Sequence, residues 1–206
     1  MPENALRPLR LAVAAVLALA LVPAAPATAA THAKKSAHAA RSHRHSANSA
    51  SACQDTTLIP TQANVGRVAA ATLCLVNQQR TSRGLAAFRS DANLARTATQ
   101  HSLDMVARNY FGHVSPGGST PLDRIRSSGY LHANQSFSVG ENIAVATGSL
   151  GTPAGIVQMW MNSPGHRANI LNAAFRDTGM GVAPGAPASV GRGAGGTYTQ
   201  DFGVKG

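Results

Sequence analysis

Three short stretches of the chain hold titratable side chains beside glycine or proline. They are Phe111-Gly112-His113-Val114-Ser115-Pro116, Gly140-Glu141-Asn142-Ile143 and Ser163-Pro164-Gly165-His166-Arg167-Ala168-Asn169-Ile170-Leu171. Glycine and proline at these points predict turns from which side chains converge on a cleft. Two imidazoles and one carboxylate are suited to binding a divalent metal, zinc first among them, or to moving a proton. As metal ligands, His113, His166 and Glu141 leave a fourth position open, which is the ligand count of a catalytic zinc site. As catalytic residues, Glu141 or a water on the metal is the base, and His113 and His166 hold the metal or polarise a carbonyl. Ser163 stands three residues before His166, but Pro164 and Gly165 intervene and no Gly-x-Ser-x-Gly turn surrounds it, so it reads as a cap or turn serine. Glu141 and the histidines also read as a hydrogen-bonded network fixing three loops, with Asn142, Arg167 and Asn169 in the same structural role.

The elements that must position these residues are announced by caps and breakers. Val65, Val68, Ala69, Leu73, Val76 and Arg80 recur at helical spacing, and Gly84 follows as a stop. A second helix starts at Ser90 or Asp91, aligns Leu94, Ala98, His101 and Met105 on one face, and ends at Asn109. Thr120-Pro121 opens a third helix that Gly129 closes, and Thr152-Pro153 opens a fourth that stops before Pro164. Gly179 to Val182 and Tyr198 to Phe202 read as strands joined by a long Gly/Ala/Pro-rich hairpin loop. Helices first and strands late make an α+β domain. His101 reads as packed on the inner stripe and His132 as solvated. Trp160, Tyr130 and Phe175 read as core, and Met105, Met159 and Met161 as core filling or surface.

Composition places this domain outside the cytoplasm. Arg7 and Arg10 precede an apolar run from Leu11 to Val22, and Pro23 and Ala27-Thr28-Ala29 follow, which is the layout of a signal peptide cleaved near Ala29 or Ala30. A spanning helix needs about 20 apolar residues, so the run is too short for an anchor, and none is expected after cleavage. Cys53 and Cys74 are the only cysteines, an even count that favours a disulfide in an exported chain. Closing a loop of about 20 residues is worth roughly 3 kcal/mol. The formal charge is +10, and four of the eight histidines cluster with Lys34, Lys35, Arg41 and Arg44 between Thr31 and Ala52. That stretch has no large apolar residue up to Ser51 and is expected to be disordered. Residues 1–30 are thus a signal peptide, 31–63 a disordered basic linker and 64–206 the domain. The basic chain suits anionic polymers and surfaces. Without aromatic interleaving, and exported, it is not expected to bind nucleic acid.

The stretches Asn77-x-x-Arg80-x-x-x-Gly84-Leu85, His101-Ser102-x-Asp104-Met105, Phe111-x-His113-x-Ser115-Pro116, Gly140-Glu141-Asn142-Ile143, Trp160 to Leu171 and Gln200-Asp201-Phe202-Gly203 occur in this order. Together they closely resemble bacterial members of the CAP superfamily, named for cysteine-rich secretory proteins, antigen 5 and pathogenesis-related 1. The resemblance implies an α-β-α sandwich with a small antiparallel sheet between helices. It also implies a cleft lined by two histidines and two acids, with zinc at the histidines in some members and lipid or sterol binding in others. His113, Glu141 and His166 fall on three of the four cleft positions. The second acid would fall near Ser163, where this chain has none. The missing acid favours a secreted binding module for an apolar, peptide or cell-wall ligand, with the metal-assisted hydrolase as the alternative.

Overall fold

The computed structural model describes residues 52–191 and 193–206. The expected signal peptide and the linker up to Ser51 lie outside the described residues. From Cys53 onward the linker region is held in place. Cys53 is disulfide-bonded to Cys74 on the first helix, Asp55 pairs with Arg67, and Pro60 is buried. The bridge therefore ties the approach segment to the domain, as the cysteine count predicts.

Helix α1 (Val65–Thr81) ends as expected ahead of Gly84, whose φ of +73° is the left-handed conformation that glycine adopts without strain. A two-residue strand β1 (Arg89–Ser90) leads into α2 (Ala92–Ala107), whose N-cap Asp91 accepts from the amides of Asn93 and Leu94. Helix α3 (Pro121–Ser127) opens with a capping box between Thr120 and Asp123. Strand β2 (Phe137–Thr147) is followed by a 3-10 turn and by α4 (Pro153–Asn162), capped by Thr152. Helix α5 (Pro164–Ile170), strand β3 (Asp177–Pro184) and strand β4 (Gly195–Lys205) complete the chain.

The sheet runs β1-β3-β4-β2, antiparallel except for the short parallel pair β1 and β3. Helix α2 packs on β3 and β4, whereas α1 packs on β3 and α4, and α4 continues onto α5 and β2. This is the α-β-α sandwich. The larger core joins Val68, Val76, Ile156, Trp160, Phe175, Tyr198 and Phe202, and a smaller one joins Leu94, Ile125 and Tyr130. Trp160, Tyr130 and Phe175 are core, as expected, and His101 is buried.

Two expectations need correction. Gly140-Glu141-Asn142-Ile143 is no turn but the middle of an 11-residue strand. Gly140 is there for space: a Cβ at this position would stand 3.1 Å from the Phe175 ring. Pro164 ends α4 as expected, but it also occupies the first turn of a further helix, where its missing N–H costs nothing. His166 therefore sits on a helix rather than in a loop.

The glycines of β3 set how closely the layers approach. A Cβ on Gly179 would lie 2.0 Å from the Leu94 carbonyl carbon, and one on Gly181 would lie 2.1 Å from that of Ala98. The backbone of α2 thus rests directly on the strand. Overpacking usually costs about 1–3 kcal/mol, and here the obstacle is backbone that cannot rotate away. Gly179→Ala or Gly181→Ala should destabilise the domain by about 3 kcal/mol or more, read as a shifted urea midpoint with unchanged slope. A change below about 0.5 kcal/mol, the scatter of ordinary surface substitutions, would refute the close packing.

Candidate functional site

His113 lies on the loop between α2 and α3, which is pinned from below. The buried His101 on α2 places Nε2 3.0 Å from the Gly112 carbonyl, and Tyr110 gives its hydroxyl proton to Asp104 at 2.6 Å, with Ser115 Oγ 3.0 Å away. Burial pulls the His101 imidazole below its ordinary range, against the favourable field of Glu141. It is neutral, and its Nε2–H donates to Gly112.

Glu141 is the centre of the site. Its side chain is 1% exposed, yet both oxygens are engaged: Oε1 lies 2.7 Å from His113 Nδ1, and Oε2 accepts from Arg124 Nη2 at 2.7 Å. The same Nη2 reaches the His113 carbonyl at 2.9 Å, and Nη1 donates to the Ser119 carbonyl. An ionised carboxylate can only accept, so His113 must carry its proton on Nδ1. Its Nε2 is then left for a ligand, and 49% of the side chain is exposed.

Directly beneath, Asp201 is the cross-strand partner of Glu141 in the β2–β4 ladder. It is fully buried, and neither carboxyl oxygen has a hydrogen-bond partner among the described residues. Burial first, then the neighbouring Glu141 charge, push this carboxyl well above the usual range, with Arg124 pulling the other way. Asp201 is therefore neutral beside an ionised Glu141. In that state it can give its proton to Glu141.

His166 lies on α5. Asn142 holds the His166 carbonyl at 3.1 Å, and Asn169 reaches Asn142 Oδ1 at 2.9 Å and the Glu141 carbonyl at 3.4 Å. Asn142 and Asn169 thus perform the expected positioning. Among the described residues the Arg167 side chain donates only to the Met161 carbonyl, at 3.4 Å. The buried Arg80 clamps the far end of α5 through the carbonyls of Ile170 and Asn172. Burial, then the charge of His113, lower the His166 imidazole below its ordinary range. Its ring lines an open cleft of about 360 Å³ with Phe111, Ile143, Val145, Met159, Trp160 and Val190. Ser163 is there too, at the junction of α4 and α5.

The structure therefore brings His113 and Glu141 into contact and sets His166 at the cleft wall. Sequence reasoning missed Arg124 and Asp201. Nothing local marks Arg124, one of two arginines in α3. Asp201 did carry a signal, since a carboxylate inside a buried strand needs an explanation. Among the described residues no three His, Cys, Asp or Glu side chains gather closely enough to hold a metal. The donor set on offer is His113 Nε2 and the His166 ring, with Glu141 behind His113 rather than beside it.

The sequence model of the cysteine-rich secretory protein (CAP) family matches residues 73–202. The uncharacterized protein YkwD of Bacillus subtilis is 40% identical over 107 residues, 52% of this chain and 39% of its own length. An extracellular protein of Bacillus anthracis containing an SCP domain has a solved structure that superposes with a TM-score of 0.52 and 30% identity, covering 69% of this chain and 43% of that one. An outer surface protein of Borrelia burgdorferi shares the fold at 17% identity, with a TM-score of 0.51 and coverage of 65% and 90%. The chain spans well under half the length of YkwD.

The raised Asp201 carboxyl has a pH signature. Above about pH 4 an unfolded aspartate loses its proton while the folded one keeps it, so this group's contribution to stability falls as pH rises toward the folded value. Asp201→Asn removes that dependence. As pH rises above about 4, the stability of the variant relative to the parent should climb until the folded carboxyl itself loses its proton, measured by urea unfolding at each pH. A pH-independent difference would mean that Asp201 is ionised in the folded protein.

Proposed function

The chain belongs to the cysteine-rich secretory protein (CAP) family, and on that premise we propose that it is an exported binding module. Its cleft takes an apolar ligand, an acyl chain or an apolar peptide side chain, with His166 in its wall. The observation that carries this reading is the commitment of Glu141. Both of its oxygens are held, by Arg124 and His113, and the second carboxyl nearby is neutral. The carboxylate orients an imidazole instead of standing free as a base. The cleft itself is walled mainly by apolar side chains, with the exposed Phe111, Met159 and Val190 at its rim.

The signal-peptide pattern at the N-terminus supports export, and the Bacillus anthracis relative is an extracellular protein. No helix among the described residues is long and apolar enough to cross a membrane. Zinc fits this site only as a two-nitrogen guest: His113 and His166 would hold it, and bound there it would supply a Lewis acid facing the cleft. With so few protein ligands, the metal would bind reversibly and modulate ligand affinity. The basic chain draws the module toward anionic walls or membranes. The hydrolase alternative in which Glu141 itself is the base requires it to leave Arg124 and His113.

Trp160 is the chain's only tryptophan and lines the cleft, so its emission reports occupancy directly. Titrating the protein with decanoate or with a short leucine-containing peptide should shift that emission saturably. The shift should persist in Glu141→Gln. Zinc should change the affinity in the parent but not in His113→Ala/His166→Ala. An unresponsive Trp160 would sink the binding reading. So would peptide or ester turnover abolished by Glu141→Gln in a folded protein, which would establish the hydrolase.

A further inference from the structure

A second cavity, of about 360 Å³, opens between α2 and α3, and it shares no lining residue with the apolar cleft. Arg96, Thr97 and Gln100 of α2 line one side, with Arg124 and Ser127 of α3 and the adjoining Ser128 on the other. All of these side chains are polar and none is acidic.

Their hydrogen bonds define what a ligand must bring. The hydroxyls of Thr97, Ser127 and Ser128 give their protons to the carbonyls of Asn93, Asp123 and Ile125. Thr97 and Ser127 therefore face a ligand as acceptors, and Ser128 Oγ, which also accepts from the Tyr130 amide at 3.2 Å, keeps one lone pair. Arg96 commits only Nη2, to the Ser128 carbonyl and Asn93 Oδ1, so Nε and Nη1 have no acceptor among the described residues. Gln100 is exposed, and no hydrogen bond of its side chain is seen there. The Arg124 charge is matched by Glu141, whereas no carboxylate among the described residues pairs with Arg96. The cavity thus presents an unmatched positive charge and free donors beside a row of acceptors.

We infer that this cavity binds a small polyhydroxylated anion, a sugar acid or a polyol phosphate. Its anionic group sits on Arg96 and its hydroxyls donate to Thr97, Ser127 and Ser128. Guanidinium-to-anion hydrogen bonds are roughly twice as strong as neutral ones, so the charge supplies affinity and the hydroxyl row supplies selectivity. The volume is near the lower end of small-molecule sites, about 300–1,000 Å³, which suits one sugar-sized unit. Because Arg124 lines this cavity and also holds Glu141, an occupant here sits one guanidinium away from the histidine site.

The test is a ¹H–¹⁵N NMR titration of the full chain with glucuronate, glycerol 3-phosphate, inorganic phosphate and glucose. Residue-specific shifts separate this cavity from any loose binding of anions by the basic N-terminal region. Glucuronate or glycerol 3-phosphate should move the Thr97, Ser127 and Ser128 amides and bind at least about tenfold tighter than glucose or bare phosphate, and the tighter of the two identifies the anionic group. Arg96→Gln should weaken binding about tenfold, and so should Gln100→Glu, which adds a like charge at an exposed position with no partner to lose. Equal binding of glucose or bare phosphate, shifts confined to other regions, binding that survives both substitutions, or no binding at all would overturn the assignment.

Discussion

One negative charge inside the sandwich organises the site. Glu141 points from β2 into the space between the sheet and the α2–α3 side, where it is almost wholly shielded from water. Leaving an unpaired carboxylate there would cost several kcal/mol, so the surrounding structure supplies its counter-groups. Arg124 brings the cation, and α3 must be placed to deliver it. His113 brings the proton on Nδ1, and the loop after α2 must be held to present it. Asp201 keeps its own proton, so that two carboxyls on neighbouring strands carry a single charge. The orientation of the His113 ring, with Nδ1 toward Glu141, follows from this arrangement.

The scaffold keeps these groups in register by close contact of backbones and by closing its edge. Gly179 and Gly181 let α2 lie against β3, which fixes the height of His101 and, through Gly112, that of the His113 loop. Strand β2 ends the sheet, and its outward carbonyls would be open to another chain. Trp160 Nε1 takes the Ile143 carbonyl at 3.2 Å and Asn169 takes that of Glu141. The same contacts hold α4 and α5 to the strand, so that protection of the edge and placement of His166 share one set of hydrogen bonds.

Much of this was legible in the sequence where the signal was local. Asp91, Thr120 and Thr152 cap the helices they announce, and Gly84 marks the stop of α1. His113, Glu141 and His166 stood out in motifs, and the ordered series of motifs pointed to the family and its sandwich. The errors came where one residue type serves two physical purposes. Gly140 was read as a turn but provides room for the Phe175 ring, and Pro164 was read as a stop but also starts α5. Arg124 and Asp201 lie 17 and 60 residues from Glu141, and only the folding of α3 and β4 against β2 makes them its neighbours. No local pattern could encode that distance.

The account rests on Glu141 as a buried, ionised acceptor that sets the tautomer of His113. Long-range ¹H–¹⁵N correlation of the imidazole nitrogens in the full chain, at alkaline pH where the ring is neutral, reads that state directly. His113 should appear with the proton on Nδ1 and a bare Nε2, and Glu141→Gln should weaken that preference. A parent protein with the His113 proton on Nε2, or with the two tautomers averaged as in a free imidazole, would contradict the account.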